Sequence, residues 1–498
     1  VAKSLHSPRL LESPLLPSRM FLKVESEVQY QPLAKGDDLP MRRKSSGLNL
    51  VGIGCEYLTE QVMPQTDSNK LPRVESYDLL RKNTLLHNTS SDSKVSDSRI
   101  LKPLAPTSLR SCVITLVATA LGSGVLALPY AFAHVGLVAG LVALTVAACF
   151  SCLSLVILML AGRYTEANSY AALLTLASGS SKAGLFLDGI LVIYGCATIL
   201  ALLIFEGDFV PAILGAFGVH VNRTVAIMGT ALCVWPLVLP SKVSALRYVA
   251  ALSPFAILYI AANVFIQAES RGDQHDLQMC IMKPAQILET LSIFVFSVMC
   301  HTNAVPVVHM LERPSVARIV KVATYSNFCC WGLYLLIGVG GYISFHSAVQ
   351  GDFLLNYPND RVSILVCRMM MSVVCYVGIP MNSSNAAQAL LKLVSAATQR
   401  DPEAQVEQRP LVFALLSTVL LVVAAVAAIF LTNVADVISV LGGSMISVQM
   451  FWIPVYIYWK LLYPSQPPGF RKCVSVAMVI AGIAGFASVF ATVISKAM

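Results

Sequence analysis

Charge is what this sequence has least of. Asp, Glu, Lys and Arg make up 12% of its 498 residues, 56% are apolar, and the mean hydropathy is +0.70. Soluble domains are roughly 25% charged, so this balance excludes a soluble globular chain and indicates a polytopic membrane protein. Chemical signatures are missing too. No Gly-rich loop ending in Lys-Ser or Lys-Thr is found, which argues against nucleotide drive. No Gly-x-Ser-x-Gly elbow and no His-Glu-x-x-His pair is found, so neither an enzyme nor a bound cofactor is expected. Most of the 13 cysteines lie in apolar runs, and Cys329-Cys330 lack ligand neighbours. Packing is therefore their expected role, ahead of zinc or a structural disulfide. The net charge of +8 sits in a polar tail and short loops and carries no nucleic-acid signature.

What is present is unevenly spread. Residues 1–109 hold 15 of the 35 basic and 12 of the 27 acidic side chains, and show no sustained apolar period. Residues 1–105 read as a disordered tail and 106–498 as a membrane domain. No early apolar core of signal-peptide length stands out. Eleven apolar spans follow, near 109–134, 137–162, 184–206, 223–241, 244–267, 286–311, 317–345, 362–395, 409–432, 435–460 and 473–495. With a cytosolic N-terminus, thirteen Lys/Arg fall on inner loops and five on outer ones. The positive-inside rule therefore predicts the N-terminus inside and the C-terminus outside, or in an organelle lumen.

Two spans carry breaks. The first contains Gly122-Ser123-Gly124 followed by Pro129, and the sixth contains Cys300-His301-Thr302-Asn303 followed by Pro306. Gly and Pro weaken a helix, and lipid offers the freed backbone no partners, so such breaks face protein or a cavity. Broken helices at corresponding positions one and six are expected of a 5+5 inverted-repeat transporter, with one helix to spare. The expected fold is therefore all-α, with eleven membrane helices, the first and sixth discontinuous.

The first break predicts free amides on Ser123, Gly124 and Val125, a place for a carboxylate. It also predicts free carbonyls near Ala118, Thr119 and Leu121 for an ammonium group or a cation. The plainer reading is a small-residue face that lets helices approach. The sixth-span candidates are Phe296, Cys300, His301, Thr302 and Asn303. His301 is either a proton carrier or a hydrogen-bonded tie between helices. On the eighth span, Tyr376 is expected to complete the cavity and Ser372 to supply a coupling-ion oxygen. Arg368 is paired, from charge alone, with Asp188. Asp188 and Glu289, near span ends, read as snorkelling to water.

These residues resemble the amino acid/auxin permease family, which includes the sodium-coupled neutral amino acid transporters, over residues 105–495. The matching stretches are Gly122-Ser-Gly-Val-Leu-Ala-Leu-Pro-Tyr-Ala, Cys300-His301, Val305-Pro306, Glu312-Arg-Pro-Ser315, Gly341-Tyr-Ile-Ser-Phe345, Asp352-Phe-Leu-Leu-Asn-Tyr357, and Gly442-Gly-Ser444 with Pro454. The resemblance implies eleven helices and amino-acid substrates driven by Na⁺ or H⁺, in a plasma membrane or a vacuolar or lysosomal one. The sequence departs from it where sodium-coupled relatives carry a hydroxyl just before the eighth-span proline. Here Val377-Gly378-Ile379 precede Pro380, which favours H⁺ coupling or none. Two function classes stay open: a secondary amino-acid transporter, or a receptor that senses an amino acid and signals through the tail.

Overall fold

The computed structural model describes residues 108–165, 167–240, 252–269, 277–281, 283–359, 361–398, 410–462 and 468–497. The expected tail, residues 1–105, lies outside them. All regular structure among the described residues is helical. α1 (Leu109–Ala120) leads through a 3-10 turn (Ser123–Ala127) into α2 (Leu128–Val135), with a bend of 52°. Then come α3 (Leu137–Tyr164), α4 (Tyr170–Ser178), α5 (Ser181–Ala216), α6 (Arg223–Val238) and α7 (Ser253–Glu269). α8 (Pro284–Ser297), a 3-10 turn (His301–Asn303) and α9 (Ala304–Met310) follow, then α10 (Val316–Phe345), α11 (Val362–Ala397) and α12 (Pro410–Phe430). α13 (Val434–Leu441) continues through π-helical turns and α14 (Ile453–Ile457) to Leu462, and α15 (Pro468–Ala497) closes the chain.

Among the described residues, eight helical stretches are long and apolar enough to cross a membrane, and the bent α1–α2 pair makes a ninth. α6 and the Ser253–Gln267 stretch are apolar but shorter. The sequence boundaries fail in two places. The connector predicted over 163–183 contains α4, which starts where Ser169 accepts the Ala172 N–H (3.2 Å) and ends at Gly179 in the left-handed region. Both are ordinary capping signals. The third span runs on to Ala216 rather than stopping at 206. Glu206 is therefore interior to a helix and not at its end.

α5 lies along α11, and α8 packs on α15. α10 packs on α7 and α3. Two large apolar clusters and a small third one around Ala386, Ala387, Phe413 and Leu420 form the core among the described residues. The helix breaks lie where the two large ones meet: Val125, Phe296 and Met299 belong to one, Leu116, Cys300 and Val305 to the other. At the far end of α2 the chain reverses at Gly136 (φ 86°), where a Cβ would come within 2.9 Å of the Cys280 backbone. Leu137 and Val138 donate to the Gln278 and Met279 carbonyls there, at 3.1 and 2.8 Å. Buried hydroxyls tie α8, α13 and α15 together. Ser292 donates to Ser488 at 2.7 Å, and Ser439 lies 2.9 Å from Thr492.

Candidate functional site

Both predicted breaks are present. α1 stops at Ala120, and Gly122 takes an extended conformation (φ −125°, ψ −150°) before the 3-10 turn. In a continuous helix the amides of Gly122 and Val125 would serve the carbonyls of Ala118 and Leu121. They bond instead to Ala120 (2.9 Å) and Gly122 (3.4 Å). The Ala118 and Leu121 oxygens thus lose their helical donors, while Ala120 keeps a partner in the Tyr334 hydroxyl of α10 (2.6 Å). Of the three amides expected to be free, Val125 is engaged. The first two of the turn, Ser123 and Gly124, have no carbonyl of that turn behind them. In the sixth span α8 ends at Ser297, Val298–Cys300 are non-helical, and the turn at His301–Asn303 leads into α9.

The two breaks face each other. Ser297 donates its hydroxyl toward the Gly124 carbonyl (3.1 Å) and the Ile293 carbonyl of its own helix (2.8 Å). Asn303 Nδ2 donates to Thr119 Oγ1 at 2.8 Å, and Thr119 in turn donates to the Thr115 carbonyl. Gly124 marks the crossing: a Cβ there would lie 2.8 Å from the Phe296 ring and 3.1 Å from Ser297 Cα. At Gly122 a Cβ would meet nothing within 4 Å. Open space therefore lies beside Gly122, whereas Gly124 is the small-residue contact that the plainer reading described. Gly124→Ala is expected to lower the yield of folded protein, because overpacking costs about 1–3 kcal/mol. Size-exclusion recovery in detergent checks this.

Burial changes across the site. Ser123, Val125, Cys300 and His301 are buried, whereas Ala118, Thr119, Gly122, Thr302 and Asn303 are half-buried. A narrow cleft between α1, α10 and the sixth-span break is lined by Leu116, Ala120, Val298, Cys300, Asn327 and Cys330. His301 is fully buried and faces the Ser151 backbone of α3, with neither ring nitrogen completing a hydrogen bond. The Ser151 backbone of α3 is the polar group it meets on a neighbouring helix, so the helix-tie reading stands beside the proton one.

The structure does not bring every expected residue here. The Tyr376 hydroxyl donates to the Cys233 carbonyl of α6 (2.9 Å) rather than to the breaks. Ser372 donates to Glu206 of α5 (2.7 Å) rather than pointing at Ala118 and Leu121. Asp188 is not the partner of Arg368. Lys392 is the cation near Asp188, and Arg368 donates to Asn359 Oδ1 (2.5 Å) and to the Leu354 and Tyr357 carbonyls (2.9 Å each). Asp188 is itself buried, not snorkelling; the Glu289 side chain lies outside the described residues. Two groups were missed. One is Glu206, whose signal was an acid inside an apolar run. The other is the Arg368 clamp, whose signal was an arginine within reach of a loop of exposed carbonyls. That loop, as the turn Phe353–Asn356, packs on the turn Ser123–Ala127.

Two broken helices whose ends meet among buried and half-buried polar groups define the class: a polytopic membrane protein with paired helix discontinuities inside the bundle. The chain belongs to the transmembrane amino acid transporter protein family, whose model matches residues 105–495. It is 28% identical over 365 residues to a Toxoplasma gondii protein named as a candidate amino acid transporter, AAT1, covering 72% of this chain and 50% of that one. It is 24% identical to the sodium-coupled neutral amino acid transporter 7 of Danio rerio, covering 72% and 80%. Vacuolar amino acid transporter 6 of Saccharomyces cerevisiae is 26% identical, covering 61% and 73%. The chain thus spans half the length of the Toxoplasma relative and most of the other two. The amino acid/auxin permease resemblance is borne out at the level of the family.

Proposed function

We propose that the chain is a secondary transporter that moves amino acids by alternating access, with H⁺ coupling or none. The observation that carries this reading is the meeting of the two breaks at Gly122–Gly124 and Val298–Asn303. An α-carboxylate fits the Ser123 and Gly124 amides, which point out of a short helical turn. An α-ammonium fits the Ala118 and Leu121 carbonyls, whose helical donors have gone elsewhere. Together these recognise what all amino acids share and leave side-chain selection to the surrounding apolar wall. The names of the relatives support the same substrate class. With α6 and α7 counted as spans, the described residues hold eleven, read as a 5+5 inverted repeat plus one. The Phe353–Asn356 turn closes the outer side in this reading, and half-buried Thr119, Thr302 and Asn303 face the inner side.

Purified protein in liposomes, given a panel of labelled amino acids under imposed Na⁺ or H⁺ gradients, tests this. Time-dependent uptake of at least one amino acid is expected. Saturable binding with no uptake of any would sink the reading and favour the receptor. Orientation is a separate prediction: the thirteen-to-five charge bias places residues 1–105 in the cytosol and Met498 on the opposite face. Terminal tags cleaved by protease from the same side would refute it.

A further inference from the structure

α5 carries an acid deep in an apolar run, Leu202-Leu-Ile-Phe-Glu206-Gly. Glu206 is 1% exposed. Its Oε2 accepts from Ser372 Oγ of α11 at 2.7 Å, and Oε1 has no hydrogen-bond partner. No cation among the described residues pairs with it. Among the described residues the one ion pair joins Arg223 to Asp208 (3.0 Å), and Arg368 is occupied by Asn359 and two loop carbonyls. The charged and titratable groups on the elements packed around this part of α5 are few. They are Cys375, Tyr376 and Arg368 of α11, Asp352 in the loop before it, Arg223 and Cys233 of α6, Asp436 of α13, and Asp208 on α5 itself. α12 contributes none.

A carboxylate with one oxygen unsatisfied inside a membrane protein is costly, and such groups mark proton or ion pathways. A helix-bridging polar contact alone needs no ionisable group, since an amide or a second hydroxyl does it without the charge. A proton resolves the cost: placed on Oε2, it reverses the bond, and the carboxyl O–H donates to Ser372 Oγ. The two protonation states therefore differ at the α5–α11 interface. One turn before Glu206, Leu202 lies against Gly378, where a Cβ would sit 3.1 Å away. α5 also packs on the 3-10 turn Ser123–Ala127 of the candidate site. We propose that the Glu206–Ser372 pair is a proton-binding site that couples amino-acid movement to H⁺. This rests on the transport reading above, and in it Glu206 takes the role that His301 and Ser372 had in the sequence.

The test uses the full chain in liposomes with a labelled mixture of the twenty L-amino acids. Wild type is expected to concentrate the label under an inward H⁺ gradient and to exchange it, without any gradient, at a pH-dependent rate. In Glu206→Gln, gradient-driven accumulation should fall at least tenfold while exchange persists and loses its pH dependence. In Ser372→Ala the carboxyl remains but its donor is gone, so the midpoint of the pH profile should move to higher pH. Undiminished accumulation by Glu206→Gln overturns the proposal. So does wild-type accumulation under a Na⁺ gradient alone, which leaves the transport reading standing. Absence of exchange by wild type overturns both. If Glu206→Gln is not recovered folded, an unshifted pH profile in Ser372→Ala overturns the proposal.

Discussion

Gly122→Val should abolish amino-acid uptake, by a hundredfold or more, while the protein is still recovered folded. The backbone at Gly122 is extended, a conformation open to any residue, and a Cβ there meets nothing within 4 Å. The fold therefore loses little. The substrate loses its approach, because a branched side chain stands over the Ser123 and Gly124 amides and the Ala118 and Leu121 carbonyls. A hundredfold loss corresponds to about 2.7 kcal/mol, the scale of one or two charge-assisted hydrogen bonds. Uptake in liposomes, alongside thermal stability in detergent, checks both halves. Wild-type uptake by Gly122→Val places the substrate elsewhere. A loss confined to stability assigns Gly122 to packing, with Gly124.

The second large effect is expected at Arg368. This buried guanidinium satisfies Asn359 Oδ1 and the Leu354 and Tyr357 carbonyls. Arg368→Met strips all three at once. Each buried acceptor left without a donor costs about 1–3 kcal/mol, although part is recovered if the loop opens to water. Asp352 caps the same loop by accepting the Leu354 N–H at 3.0 Å, and burial pushes its carboxyl well above the usual carboxylate range. Hydrogen exchange over residues 352–357 should rise at least tenfold in Arg368→Met, and the melting temperature should fall. Arg368→Lys should rescue little, since one ammonium cannot match a planar fork aimed at three oxygens. Unchanged exchange would show that the turn is held by its apolar residues Phe353 and Leu354 instead.

Reading along the chain located the membrane class, most spans and both breaks, because those depend on local chemistry. A Gly-Ser-Gly followed by a proline interrupts a helix wherever it stands, and a Cys-His-Thr-Asn run in an apolar span has few places to go. The carbonyls of Ala118 and Leu121 were legible for the same reason, since losing an i+4 donor is a property of one helix. What failed was side-chain direction. Ser372 and Tyr376 lie on the span expected, yet one turns to α5 and the other to α6. Four residues along a helix keep a similar heading only on average, and the sequence does not say which neighbour waits on which side. Glu206 does not stand out in the sequence because the third span, read over 184–206, ends at it.

The sequence by itself determined that this is a polytopic helical membrane protein with discontinuities in its first and sixth spans. Hydrophobic transfer and backbone hydrogen bonding in lipid leave such a chain few alternatives. Only the tertiary structure decided which glycine is a contact and which is open. It also decided that Arg368 clamps a loop rather than pairing with Asp188, and that Glu206 meets Ser372. The glycine and Glu206 outcomes hang on distances of a few ångströms between helices more than a hundred residues apart in the chain, and the Arg368 clamp hangs on how a loop within fourteen residues of it folds back; no local pattern encodes either.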